Sequence, residues 1–285
     1  MAMATGLDLS IKNFMTYSVD FHIHSNYSAD GFDTPEAIII TAMEKGLSLI
    51  AITDHFVDRA FYELVGQGEV LLGKGFHIVK HETFLVVSKD SKQLIILKGK
   101  EVSTSEGFHI LGLAYEGQVK NFKNLEDTLR EIKSKKGIAI IPHPCATIYH
   151  GIGGGNVKKL ATTDMNLFDA IEIFNANDLF PCFWVNTQAA FLARRFNLPG
   201  VAVSDAHEAR HVGYSSTLLP QALDLTSSQT LLESLIKALQ SNNLTLLRKY
   251  IPVSDFFHWF VFPKIKLLFT GKHLRIQPPA DYEKY

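Results

Sequence analysis

The sequence predicts an α/β barrel of about seven strand-and-helix units, on three observations. Short apolar runs alternate with segments of helical period, the pattern of parallel strands joined by crossover helices. The chain has 285 residues, 46% of them hydrophobic, enough for one domain with a large core. Histidines and acids stand where successive apolar runs stop, which in a parallel barrel is the end where the loops converge.

Tyr17 to Ile23 reads as the first strand. Thr34 then caps a helix that runs to Gly46, with Pro35 suited to its first position and Glu36 to its dipole. Leu47 to Thr53 is a second buried strand, and Phe56 to Gly75 is less regular, with helical pieces. Glu82 to Ser88 and Gln93 to Lys98 flank the polar Lys89-Asp90-Ser91-Lys92 as a hairpin. Phe108 to Ala114 is a strand, and Leu125 to Lys136 a helix closed by Gly137. Strands follow at Ile138 to Ile141, Ala170 to Phe174 and Val201 to Val203, with helices at Val157 to Ala161 and Phe183 to Phe196 between them. A last helical pair is expected at Ser227 to Gln240 and Leu244 to Arg248. Gly151 to Gly155 lacks the Lys-Ser/Thr of a phosphate-binding loop and reads as a flexible lid segment or, ahead of that, as an ordinary connecting loop. Residues 1–250 are expected to form the barrel and 251–285 a C-terminal extension packed on it.

Composition narrows the function classes. The formal charge of −1 gives no global electrostatic case for nucleic acid or a membrane surface. Cys145 and Cys182 cannot make a disulfide framework and fit a reducing compartment as ordinary buried thiols. Met1 to Ser10 lacks the pattern of a signal peptide, so a cytoplasmic location is expected. The apolar Phe256 to Phe269 is broken by His258, Pro263, Lys264 and Lys266, too short a run to span a bilayer, so no membrane partner is expected.

The clusters at the strand ends carry the chemistry. They are His22 and His24 with Asp30, then Asp54-His55, Glu101 with His109, His143-Pro144, and Asp205 with His207. Imidazoles and carboxylates suit divalent transition metals, and six histidines with three acids exceed what one tetrahedral ion uses. Residues two apart on a strand share a face, so His22 and His24 can meet one ion, as can Asp205 and His207. Asp54 is expected to orient a ligand through a hydrogen bond, and Ser28, Ser103 and Ser204 to cap or support. Lys100 and Arg210 adjoin these motifs and are candidates to clamp a phosphate, Glu172 to touch substrate. His150 and His211 are further candidates for substrate contact, whereas His77, His81, His258 and His273 lack such company.

The run His22-Ile-His24-Ser-Asn-Tyr-Ser28-Ala-Asp30-Gly31, with Ile52-Thr53-Asp54-His55, Gly99-Lys100-Glu101-Val102-Ser103-Thr104, His109-Ile-Leu-Gly-Leu, Pro142-His143-Pro144 and Ser204-Asp205-Ala206-His207, resembles the PHP (polymerase and histidinol phosphatase) family, in its stand-alone metal-dependent phosphoesterase form. The resemblance implies a distorted (β/α)7 barrel with a trinuclear site; two to three divalent ions are expected, and Zn, Mn and Fe all accept this mixed nitrogen and oxygen donor set. It implies His22, His24, Glu101 and Asp205 on a first ion. Glu101 would bridge to a second ion on His109 and His143, and Asp30, His55 and His207 would hold a third.

The expected activity is hydrolysis of a phosphate ester of a small molecule or nucleotide by a hydroxide bridging two ions. Glu101, Asp205 and His207 are the expected catalytic residues. A 5′-3′ exonuclease acting on a short oligonucleotide and a non-catalytic regulatory metal module are the alternatives. An amidohydrolase-type deaminase shares the His-x-His opening, but its bridge is a carboxylated Lys where this chain has Glu101.

Overall fold

The computed structural model describes residues 16–256, apart from 74, 148–149, 179–183 and 242. Seven strands make the barrel wall: β1 (Tyr17–Asp20), β2 (Leu49–Ile52), β5 (Lys92–Ser103), β6 (His109–Leu113), β7 (Ile138–Ile141), β8 (Ala170–Asn175) and β9 (Gly200–Val203). Two more pairs extend the sheet. β3 (His77–Lys80) and β4 (Phe84–Lys89) add to the outer length of β5, while β10 (Ser216–Leu219) and β11 (Thr245–Leu247) lie beside β1.

β1, β2 and β5 run parallel, as do β7, β8 and β9, but β6 is antiparallel to both neighbours. The cause is local: only a tight turn separates β5 from β6, and a parallel return needs a crossover of a dozen residues or so. The wall closes at one end, where Ile23 bridges Ala206 in parallel and the His24 amide donates to the Ala206 carbonyl at 2.8 Å. At the other end β10 wedges in, the Thr217 hydroxyl standing between the amide and carbonyl of Ala202 at 2.9 and 3.0 Å.

The inward residues Val19, Leu49, Leu97, Leu111, Ile140, Val201 and Val203 form one apolar cluster with Leu231 and Leu235 of α6 (Ser228–Gln240), so α6 closes the end opposite the clusters of histidines and acids. A second cluster seats α1 (Pro35–Glu44) and α2 (Arg59–Leu72) outside β2 and β5, and a third seats α3 (Leu125–Ser134), α4 (Gly153–Thr163) and α5 (Val185–Phe196) outside β6 to β8. Thr34 caps α1 by accepting from the Ala37 amide, and Ser227 caps α6 in a capping box with Thr230.

Two expectations fail for tertiary reasons. Leu244 to Arg248 is not a helix: Thr245–Leu247 is β11, because β10 offers it an antiparallel edge. Gly151 to Gly155 is no free lid. The Gly151 amide donates to Ala146 at 3.1 Å, a side chain there would strike the His143 carbonyl, and Gly153 opens α4. Phe56 to Gly75 does hold helical pieces: α2 is two helical stretches joined across a kink at Gln67. Cys145 is a half-buried free thiol; Cys182 and nearly all of Phe256 to Phe269 lie outside the described residues.

Candidate metal centre

All nine expected ligands arrive at the closed end of the barrel. They fall into overlapping groups whose donor atoms lie within 4.8 Å of one another: His24, Asp30, His55 and His207; His22, His143 and Asp205; His22, His24 and Glu101; and His55, Glu101 and His109. Except for Asp30, each is buried.

Glu101, which pairs with Leu111 on the inner face of β5, is the shared corner. Its Oε1 lies 2.9 Å from His109 Nδ1 and 3.2 Å from His143 Nε2. Its Oε2 lies 3.5 and 3.4 Å from the Nε2 atoms of His22 and His24, and 2.9 Å from His55 Nδ1. The two imidazole Nε2 atoms are 3.0 Å apart, and each is 3.3 Å from Asp205 Oδ1. Donors on a tetrahedral ion at ~2.0–2.2 Å stand about 3.3–3.6 Å from one another, so these four atoms have the spacing of a coordination shell. Beyond them, Asp30 Oδ2 lies 3.4 Å from His55 Nε2 and 3.3 Å from His207 Nε2.

The donors also lack the partners that a self-contained cluster has. Asp30 Oδ1, His55 Nδ1, Glu101 Oε2, His143 Nδ1 and Asp205 Oδ1 are buried polar atoms without a hydrogen bond. Orphans of this kind are costly in a native interior unless something else satisfies them. The set of imidazole and carboxylate donors fits a divalent metal.

Surrounding residues aim the imidazoles. Glu172 Oε1 lies 2.7 Å from His22 Nδ1, and its Oε2 accepts from the His143 amide at 2.8 Å. A proton on His22 Nδ1 turned toward Glu172 leaves Nε2 as the donor facing the centre. Ser28 Oγ sits 3.1 Å from His24 Nδ1 and accepts from the His55 amide, and His207 Nδ1 lies 3.0 Å from the Asp205 carbonyl. Asn175, which the sequence reading passed over, donates to both Glu172 Oε2 and Asp205 Oδ2 at 3.0 Å. Its only signal was its position at the end of a strand, three residues after an acid. Two of the candidate ligands sit in left-handed backbone, His143 at φ 27° and Asp205 at φ 49°, strain of roughly 1–3 kcal/mol each that the packed loops hold. Gly31 has a steric reason: a side chain there would collide with the Ser25 carbonyl as the Asp30 loop folds back.

Electrostatics follow the crowding. Burial pushes the Glu101 carboxyl up, but the imidazoles of His109, His55 and His22 outweigh it and hold the group well below the carboxylate range. Burial lowers His24 and His109 to about 4, whereas for His143 the Glu101 carboxylate overcomes burial and raises the ring to about 9.

The expected substrate contacts are placed otherwise. Lys100 points outward from β5, fully buried, its Nζ donating to the Val119 carbonyl at 3.0 Å. Arg210 is engaged by Glu208 at 2.6 Å and Asp255 at 3.6 Å. Glu172 supports His22 rather than facing a substrate, and His211 is buried against Asp255 at 2.8 Å. His150 does reach the rim, exposed and stacked on His109 at 4.6 Å. Asp54 accepts from the amide and hydroxyl of Ser25, both at 2.7 Å, so it fixes the loop between ligands instead of a histidine.

A family model for the PHP domain matches residues 20–116, and one described as PHP-associated matches 183–239. The uncharacterized protein MJ1587 of Methanocaldococcus jannaschii is 30% identical over 167 residues, 55% of this chain and 81% of its own. The chain belongs to the PHP family. Solved structures agree in fold. A two-domain protein of Bacteroides vulgatus, described as containing a PHP-like metal-dependent phosphoesterase, is 18% identical with a TM-score of 0.58, over 86% of this chain and 69% of that one. PsfC of Pseudomonas syringae is 17% identical over 90% and 99%, with a TM-score of 0.59. The lesion-specific endonuclease PfuEndoQ of Pyrococcus furiosus is 16% identical over 81% and 58%, with a TM-score of 0.53. Among the described residues no helix is long and apolar enough to cross a membrane.

Proposed function

We propose that this PHP protein binds three divalent ions, Zn, Mn or Fe, and hydrolyses the phosphate ester of a small molecule or nucleotide. His22, His24, Glu101 and Asp205 hold the first ion, Glu101 with His109 and His143 the second, and Asp30, His55 and His207 the third. The observation that carries the reading is the Glu101 carboxylate, whose two oxygens face different sets of imidazoles at 2.9–3.5 Å.

Divalent ions supply positive charge against phosphoryl oxygens and lower the pKa of coordinated water from ~15.7 toward ~7. The chain's own work is to aim donors and withhold protons. Glu172 keeps His22 Nδ1 occupied and Nε2 turned inward, Asn175 fixes the second oxygen of Asp205, and Ser28 seats His24. No Ser or Cys nucleophile is required: Ser28 is committed to His24 and His55, and the Cys145 thiol is pushed up to about 11 by burial and the nearby Asp178. The formal charge of −1 favours small substrates over long nucleic acid, where phosphate contacts dominate affinity.

Metal-replete protein should release p-nitrophenol from nitrophenyl phosphate and phosphate from a nucleotide panel, with elemental analysis of the same preparation giving three ions per chain. Full metal occupancy without turnover on any mono- or diester reporter would convert the reading to a regulatory metal module.

A further inference from the structure

The turn that follows β8 carries an acid that the nine candidate ligands do not include. The Asp178 amide donates to the Asn175 carbonyl at 3.3 Å, which folds the chain back on itself, and the Asn175 side chain donates to Glu172 and Asp205. The turn is held from both sides, the Ala176 amide donating to the Val203 carbonyl at 3.1 Å and the Ile251 amide to the Ala176 carbonyl at 3.0 Å. Asp178 keeps only 5% of its surface exposed, and among the described residues no hydrogen bond or ion pair reaches its carboxyl. A buried carboxyl in that condition costs stability, and such costs concentrate where a chain keeps a group for chemistry.

Its neighbours place it at the centre. The charges that act on it are those of His143 after β7, Asp205 after β9, Glu172 on β8 and His22 after β1, and Asp178 acts in turn on the Cys145 thiol. It is not a further ligand, because the groups of donors within 4.8 Å of one another do not include it. Nor does it orient a histidine: Glu172 takes His22 Nδ1 and the His143 amide, and His143 Nδ1 has no partner. What remains is a carboxyl beside the donors and outside their shell. In the metal-free protein burial pushes it up to about 7, with Asp205 and Glu172 adding to the rise against the pull of His143 and His22.

We propose that Asp178 is the general acid of the reaction and gives its proton to the oxygen of the leaving alcohol. The proposal rests on the phosphoesterase reading and adds the step that the ligands leave unassigned. The oxygen of the attacking water bonds to phosphorus, the ester P–O bond breaks with its electron pair on the alcohol oxygen, and the Asp178 proton goes to that oxygen. The proton shed by the water restores Asp178. Alkyl esters, whose alkoxides leave poorly without a proton, need this acid; esters of acidic phenols do not.

The test uses leaving groups of opposite need. Metal-replete parent, Asp178→Asn and Asp178→Glu are assayed on ribose 5-phosphate, an alkyl ester, and on p-nitrophenyl phosphate, whose phenol leaves as the anion. Asp178→Asn should cut kcat on the alkyl ester about 100-fold or more and leave the nitrophenyl ester within about threefold, and Asp178→Glu should recover part of the loss. A purely structural role would lower both esters together. Independently of turnover, the infrared spectrum of the metal-replete parent minus that of Asp178→Asn at about pH 6 should show the carbonyl band of one protonated carboxyl. An equal loss on both esters, no loss on either, or no such band overturns the general acid and leaves the phosphoesterase reading standing. Should Asp178→Asn fail to fold, the parent alone decides: its rates along a series of alkyl and aryl esters should depend weakly on leaving-group acidity, and a steep dependence overturns the assignment. Turnover of neither ester by the parent sinks the phosphoesterase reading and the general acid with it.

Discussion

Opposite faces of β5 bury two polar clusters that balance charge in different ways. On the outer face, Lys98 Nζ donates to the Tyr62 hydroxyl at 2.8 Å and to the Gly117 carbonyl, lies 3.5 Å from Asp58 Oδ2, and stands over the rings of Tyr62 and Tyr115. The Tyr115 hydroxyl completes it, donating to Asp58 at 2.8 Å. Cation, anion and donors come from the chain itself. On the inner face, Glu101 and Asp205 meet imidazole nitrogens, and several of the acceptors face one another without a hydrogen bond. The outer cluster carries its own cation and leaves a single carboxylate oxygen, Asp58 Oδ1, without a hydrogen bond, whereas the inner one has the donor arrangement of a site for a cation from outside. Both are buried and ionic, so burial of charge alone does not mark a functional site; the balance of donors and acceptors does.

Substitutions on the two faces should therefore separate activity from stability. The largest effect is expected for Glu101→Ala, which removes the carboxylate proposed to serve two ions: hydrolysis should fall below about 1% of the parent and elemental analysis should show metal lost. Retained activity and stoichiometry would break the distinction at its centre. Lys98→Met leaves Asp58 buried without its cation and should cost about 3–5 kcal/mol in denaturant unfolding while the metal content stays the same. Were metal content to drop with stability, the two faces would be one coupled unit. Glu172→Gln keeps the shape but weakens the partner of His22 Nδ1, and metal affinity in a chelator competition should fall by roughly 10–100-fold.

The smallest effect sharpens the comparison through pH. In the metal-free protein the His143 ring, at about 9, binds its proton more tightly folded than unfolded, where the value is 6.5. Its contribution to stability is complete below pH 6.5 and is lost as pH rises through about 9. His22, His55 and His207, also raised by their carboxylate neighbours against the opposing effect of burial, act in the same direction. Metal binding needs these rings neutral, so it strengthens as pH rises. Thermal unfolding between pH 6.5 and 9 should therefore show the chelated protein losing stability and the metal-loaded protein holding or gaining it. Parallel curves would remove the metal from the account.

Residue type and position at strand ends were legible because a barrel brings those ends together whatever the details. Hence His22, His24, His55, Glu101, His143, Asp205 and His207 gather at one end of the barrel as expected, and Thr34 does cap its helix. Side-chain direction was less legible. Lys100 adjoins Glu101, but strand alternation sends its ammonium outward to Val119, and Glu172 turns toward His22. Asn175 carried no motif, since its place in the site comes from Asp205, 30 positions away.

What the sequence by itself determined is therefore the α/β alternation, the barrel and the inventory of metal-friendly side chains, because hydrophobic period and residue chemistry are local properties. Only the tertiary structure decided which candidate donors stand within coordinating reach of one another and why Thr245–Leu247 is a strand. Each of these depends on a partner far away in the chain, and a local pattern holds no record of the distance between them.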